Sequence, residues 1–197
     1  MTEQKELAPL ISALADLVKW FEAVGVPGVV IGGVAASLLG RPRLTHDVDA
    51  LVVADETRWQ ELVERGAPFG FHPRLTDALA FARRARMLLM RHAPSGVDVD
   101  VTFAALRFEE EAVAHRTVVT VAGVPLPLPT PEDLIIMKAV AHRPRDLSDI
   151  EAILDAHPGL DVERVRRWVR EFARAAGIPE IWDDLQRMLK DREPGRD

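Results

Sequence analysis

Apolar residues recur at helical spacing near the start of the chain. Leu7, Leu10, Ile11, Leu14, Leu17, Val18 and Phe21 form one stripe that Gly25 and Pro27 end, which predicts an N-terminal amphipathic helix. The period then changes. Gly28 to Ile31 reads as a short buried strand, and Gly32-Gly33 leads into a short helix, VAASLL, stopped by Gly40 and Pro42. Val48 to Val53 predicts a second strand, with Asp47, Asp49 and Leu51 on one face and Val48, Ala50 and Val52 on the other. A helix is expected over Glu56 to Arg65, whereas the basic stretch from Arg74 to Arg86 shows no clean period. Met87 to Arg91, the turn Ala93-Pro94-Ser95-Gly96 and Val97 to Phe103 predict a β-hairpin. In its second strand Val97, Val99 and Val101 alternate with Asp98, Asp100 and Thr102.

After a helix near Phe108 to His115, TVVTV and VPLPL around Ala122-Gly123 predict a second hairpin, whose prolines place its last strand at a sheet edge. From Thr130 the pattern is helical: a threonine N-cap, Pro131 in the first helical position, then Glu132 and Asp133 complementing the dipole. Further helices are expected over Asp146 to Ala156, Val162 to Ala176 and Ile181 to Lys190. The predicted organisation is an α/β (α+β) core over residues 1–129, a small mixed sheet flanked by helices. A C-terminal helical subdomain over 130–192 and a disordered tail over 193–197 follow.

Composition narrows the function. The chain of 197 residues is 48% hydrophobic and 28% charged, an ordinary globular balance that excludes wholesale disorder, collagen and coiled coil. It has no cysteine, which removes disulfide scaffolds, thiolate zinc sites and a cysteine nucleophile together. The opening MTEQKELAPL is acidic and polar where a secretory leader is basic and then apolar, and no apolar run nears a bilayer's thickness. A cytoplasmic protein without a membrane partner is therefore expected. A formal charge of −6 argues against indiscriminate coating of nucleic acid.

The chemistry concentrates in IGGVAASLLGRPRLTHDVDALV. A strand runs into two glycines that open a helix, presenting bare backbone N–H groups where phosphate is favoured. Asp47 and Asp49 stand two apart on a strand, so both carboxylates project to one side and can share a divalent cation. Asp100 has the right facing on another strand to complete a three-carboxylate set. Oxygen ligands without cysteine or paired histidine point to Mg²⁺ or Mn²⁺ rather than zinc. Two such ions would activate an attacking hydroxyl and stabilise a leaving pyrophosphate.

The ordered combination of a hydrophobic residue, Gly-Gly, a spacer, Asp-hydrophobic-Asp and a later hydrophobic-Asp-hydrophobic strand resembles the DNA polymerase β-like nucleotidyltransferase superfamily. More closely, the chain is similar to its minimal nucleotidyltransferases and AbiEii-type toxins. The similarity runs through Arg43-Leu44-Thr45-His46-Asp47-Val48-Asp49, GVDVDVTF and LPTPEDLIIMKAVAHRPRDLSDI. The resemblance implies a metal-dependent enzyme that moves a nucleoside monophosphate from a nucleoside triphosphate to an acceptor with release of pyrophosphate. Asp47, Asp49 and Asp100 would hold the metals, Gly32 and Gly33 would meet the triphosphate, and Arg43 and Thr45 would orient nucleotide or loop. Lys138 would neutralise phosphate. The resemblance admits tRNA or other RNA, a protein or a small molecule as acceptor, and an antitoxin as partner. Gly33 replaces the serine of many relatives. Asp98 shares the face of Asp100, but Gly96-x-x-x-Asp100 before an apolar strand better matches the family hairpin.

Competing readings sit beside each feature. Lys138 can be the polar side of a helix that buries Leu134, Ile135 and Met137, and Arg143, Arg145, Asp146 and Asp149 are read first as helix-junction capping and salt bridges. The helix ERVRRWVREFARAA carries an apolar stripe opposite a basic face including Arg164, Arg167 and Arg174, expected to be solvated. Asp98 to Thr102 also matches the Asp-x-Asp-x-Thr motif of haloacid dehalogenase-like phosphatases. That family opens its core fold with the motif, whereas here a long α/β stretch comes first. A catalytically silent binding partner of the same fold is the non-enzymatic alternative.

Overall fold

The computed structural model describes residues 2–192 and is mixed α/β, with two compact units. One unit comprises residues up to Ala35 together with Leu44–Pro129; the other comprises Ala36–Arg43 and the chain from Thr130 onward. Residues 193–197, expected as a disordered tail, lie outside the described residues.

The first unit is built on a five-stranded sheet in the order β1-β2-β5-β4-β3. Its strands are β1 (Gly28–Ile31), β2 (Asp47–Val52), β3 (Phe71–Pro73), β4 (Met87–His92) and β5 (Val97–Phe103). Neighbouring strands run antiparallel except β2 and β5, which are parallel. The expected alternation holds along β5: Val97, Val99, Val101 and Phe103 are buried, while Asp98, Asp100 and Thr102 are half-exposed. Along β2 the face that carries Asp47 and Asp49 becomes apolar at Leu51, which is buried. The carboxylates of the two parallel strands thus lie toward their N-terminal ends.

Helix α1 (Thr2–Val24) packs along β2 and β5, burying Leu14, Leu17 and Trp20. Stacked aromatics brace the sheet at two places, Trp20 on Phe71 at 4.9 Å between centroids and Trp59 on Phe103 at 4.0 Å. Both indoles spend their N–H on backbone carbonyls, Trp20 on Leu62 and Trp59 on Ala54, so their burial leaves no donor unpaired.

The expected helix over Glu56 to Arg65 is split into a 3-10 turn, Glu56–Arg58, and α3 (Trp59–Glu64). The basic stretch without a period contains α4 (Ala78–Ala85), preceded by β3. Helix α5 (Arg107–Ala114) leads to the second hairpin, β6 (Thr117–Val121) with β7 (Val124–Leu128), which pair only with each other. Pro125 and Pro127 lie on β7, where their missing N–H groups cost least, and Leu126 and Leu128 point inward.

The second unit packs α6 (Pro131–Ala141), α7 (Pro144–Ala156), α8 (Val162–Ala176) and α9 (Glu180–Lys190) around α6. Thr130 caps α6 as its sequence predicts, its hydroxyl accepting from the Asp133 N–H. The stripe on α8 buries Val165, Val169 and Ala173. Arg164 does not join the solvated basic face: its guanidinium reaches Asp133 Oδ1 at 2.8 Å and is largely buried there. Asp133 is fully buried on α6, and an isolated carboxylate there would be too costly without a cation. Helix α2 (Gly32–Leu39) begins in the sheet unit and ends in the helical one. No helix among the described residues is long and apolar enough to cross a membrane.

Candidate active site

The register of three strands assembles the acidic face. Ile31, the last residue of β1, lies opposite Asp49, so the opening of α2 falls beside that carboxylate. On the other side of β2, the parallel ladder sets Asp47 opposite Asp98 and Asp49 opposite Asp100. A period of two then turns all four side chains to one face. Four carboxylates thus gather from two pairs that are about fifty residues apart in the chain.

Gly32 has φ +64, the left-handed region, at the first residue of α2. A Cβ there would stand 1.9 Å from Asp49 Oδ2, so only glycine allows this carboxylate to lie against the backbone that opens the helix. Gly33 follows on the same turn and is half-exposed. The Thr45 hydroxyl donates to Asp47 Oδ1 at 2.8 Å, fixing that carboxylate from the preceding loop.

Two arginines meet the acidic face. Arg74, just after β3, donates to Asp98 at 3.2 Å and forms a close ion pair with Asp100; Arg91, on β4, pairs with Asp98 at 2.6 Å. Burial pushes the Asp100 carboxyl above its ordinary range; the Arg74 guanidinium pulls it back, Asp47 and Asp98 push it further up, and the net direction is upward. Asp47 and Asp100 therefore act on one another electrostatically although their strands present them one step apart. Among the described residues, no three carboxylates or imidazoles are drawn together closely enough to chelate an ion as they stand. The donor set still suits a hard divalent cation. It consists of carboxylates on one face, with a glycine cradle at one of them and a guanidinium already attracted as a stand-in positive charge.

Arg43 and Lys138, predicted to contact nucleotide, belong to the helical unit, where both are engaged by aspartates. Lys138 is 4% exposed, and its ammonium donates to Asp146 Oδ1 and Asp149 Oδ2, each at 2.8 Å. Arg43 closes a two-pronged contact on Asp149 at 3.0 Å for both bonds, while Arg143 reaches Asp146 at 2.6 Å. The Arg43 backbone is itself clamped: its N–H donates to Ser37 Oγ, and its carbonyl accepts from the same hydroxyl. Within the helical unit the Arg43 segment is thereby tied to α7.

For both aspartates burial raises the carboxyl, but hydrogen bonds outweigh it, from Arg143 and Lys138 at Asp146 and from Arg43 and Lys138 at Asp149. Both end below the ordinary range. The folded chain thus holds these protons more weakly than the unfolded chain. The cluster stabilises the fold fully above the unfolded carboxylate range, near about pH 4, and loses that contribution as pH falls through the folded values. The urea midpoint is expected to decline below about pH 5, and Asp149→Asn should flatten that decline. An unchanged slope in the variant would contradict the coupling.

Sequence reasoning missed Arg74 and Arg91, whose only signal was basic charge near the hairpin. It also missed His92, fully buried between Asp16 and Ser95, its Nε2 3.2 Å from Asp16 Oδ2 and its Nδ1 2.7 Å from Ser95 Oγ.

The strand order and the glycine-opened helix beside paired aspartates define a nucleotidyltransferase-type domain. The chain belongs to the family described as nucleotidyltransferase of unknown function (DUF6036), whose model matches residues 6–175. No curated protein matches it. Among solved structures it is similar to the antibiotic-resistance factor ANT(2'')-Ia, with TM-score 0.58 at 15% identity over 87% of this chain and 95% of that one. A second structure of ANT(2'')-Ia, in complex with adenylyl-2''-tobramycin, gives TM-score 0.54 at 18% identity over 82% and 95%. An antigenic nucleotidyltransferase-like protein from Paracoccidioides brasiliensis gives 0.53 at 15% over 88% and 90%.

Proposed function

We propose that this protein is a metal-dependent nucleotidyltransferase that transfers a nucleoside monophosphate from a nucleoside triphosphate to an acceptor hydroxyl, releasing pyrophosphate. The observation that carries the reading is the register of β2 and β5, which sets Asp49 against Asp100 beside the glycine that opens α2. Asp47, Asp49 and Asp100 would hold Mg²⁺ or Mn²⁺, which when bound supplies charge for the triphosphate and lowers the pKa of the attacking hydroxyl. The backbone N–H groups of Gly32 and Gly33 bind phosphate oxygens at the helix opening. Thr45 keeps Asp47 in place. Arg43 and Lys138, which the resemblance assigns to the nucleotide, are engaged by Asp149 and by Asp146 with Asp149, respectively, and the Lys138→Met variant tests that assignment. Transfer of this kind asks mainly for positioning and charge stabilisation, which so few side chains can supply.

The net charge of −6 favours a small-molecule or protein acceptor over a large RNA. The adenylylated antibiotic bound by ANT(2'')-Ia supports the small-molecule case. Incubation with each α-labelled nucleoside triphosphate and Mg²⁺ or Mn²⁺, against aminoglycosides, cell protein and total tRNA in turn, is expected to label one acceptor pool. Metal-dependent nucleotide binding with no pool labelled would instead support the catalytically silent partner. A toxin role follows only if that labelling arrests growth and a neighbouring gene product relieves it.

Gly32→Ala is expected to separate geometry from stability. Its methyl must push Asp49 aside, so transfer should fall by about 100-fold. The left-handed φ costs only about 1–2 kcal/mol of unfolding free energy. Full activity in this variant would show that Asp49 need not lie against the helix opening.

A further inference from the structure

The acidic face carries its own cation. Arg74 follows β3, and its guanidinium spans two carboxylates of β5, reaching Asp98 at 3.2 Å and Asp100 more closely. The two aspartates are not held alike. Asp98 is also bound by Arg91 at 2.6 Å, so it keeps a counter-charge if Arg74 leaves. Among the described residues Asp100 has Arg74 as its ion-pair partner, and it is Asp100 that faces Asp49 across the ladder.

We infer that Arg74 is a positioning residue that occupies the acidic face in the resting protein and is exchanged for divalent metal. This inference rests on the proposed transferase reading and deepens it. A guanidinium and a divalent cation repel, and both need the lone pairs of Asp100, so each weakens the other's binding there by the same factor. Arg91 keeps Asp98 neutralised in both states, which leaves Asp100 as the third metal carboxylate. Metal arriving with a triphosphate brings anionic oxygens that can receive the released guanidinium, whereas bare metal brings none. The exchange thus favours metal and nucleotide entering together and keeps the carboxylates from being held by stray cations. Arg74 stands on the exposed surface of the protein, yet its side chain is only 29% exposed because it lies across the two aspartates.

The test is Mn²⁺ binding to nucleotide-free protein, read as free Mn²⁺ by electron paramagnetic resonance. Arg74→Ala is expected to bind roughly tenfold tighter than the parent, and Arg74→Lys, which restores a cation, to return most of the way. Arg91→Ala, which leaves Asp100 paired, should stay within about twofold of the parent on the same coupling argument. Arg74→Gln serves as a second charge-free variant should the alanine protein fold poorly. Unchanged or weaker Mn²⁺ binding in folded Arg74→Ala and Arg74→Gln, with the parent binding measurably, overturns the exchange while leaving the transferase reading intact. No Mn²⁺ binding by any variant above that of Asp49→Ala overturns both.

Discussion

Asp49→Ala is expected to lower nucleotidyl transfer by about 1000-fold or more, about 4 kcal/mol of lost transition-state stabilisation, while the protein stays folded. The size follows from position. Asp49 lies against the backbone at the opening of α2 and faces Asp100 across the parallel ladder, so it links the phosphate-binding turn to the remaining carboxylates. The side chain is half-exposed on the polar face of the sheet, and Val48 and Ala50 on the opposite face keep their packing. Initial rates of label transfer and a thermal unfolding curve measured on the same preparation check both halves. Asp47→Ala should behave alike, with Thr45 losing its carboxylate acceptor and keeping only the Asp47 carbonyl. Activity within tenfold of the parent in either variant would remove the carboxylate pair from the mechanism.

Lys138→Met should act on stability. Removing the ammonium leaves Asp146 and Asp149 buried with reduced compensation, and breaking such a buried cluster costs about 3–5 kcal/mol. Chemical denaturation is expected to show the loss, and nucleotide affinity measured on protein that remains folded should stay within a few-fold of the parent. The opposite pattern, intact stability with nucleotide affinity lost, would return Lys138 to the phosphate contact that the resemblance implied. Arg43 and Arg143 remain on the two aspartates in this variant, so the measured cost reports one cation among three.

Where the sequence carries a period, the fold was readable from it. The strand β1 falls on Gly28–Ile31 and the helix α8 on Val162–Ala176, as their patterns predict, because β1 is a short continuous buried run and α8 stripes against a single buried side. The Thr130 cap was legible for a different reason: capping is a local interaction between neighbours in the chain. β3 was not legible. Three residues, Phe-His-Pro, are too few to show alternation, and their strand state comes from pairing with β4 some twenty residues later. Helix α4 turns small buried residues, Ala78 and Ala82, inward among arginines, so its apolar face is too weak for a pattern to reveal.

The acidic face divides the same way. Spacing alone predicts that Asp47 and Asp49 share a side, since a strand's period is two. Their approach to Asp98 and Asp100 depends on a parallel pairing that no local signal encodes, and Arg74 reaches the site only because β3 joins the same sheet. The difference in partners between Asp98 and Asp100 likewise needed the structure, which gives Asp98 a second arginine. For Lys138 the helical pattern indicated a polar position, but the two aspartates that take its charge come from a different helix and were read only as capping groups.

Metal-dependent nucleotidyl transfer is read most directly from the phosphorus product that the parent protein and Asp47→Ala/Asp49→Ala form from a nucleoside triphosphate, with and without Mg²⁺ or Mn²⁺, in the presence of the labelled acceptor pool. Pyrophosphate is expected, formed only by the parent and only with metal. Pyrophosphate at equal rates from the double variant, or orthophosphate from the parent in its place, would contradict such transfer.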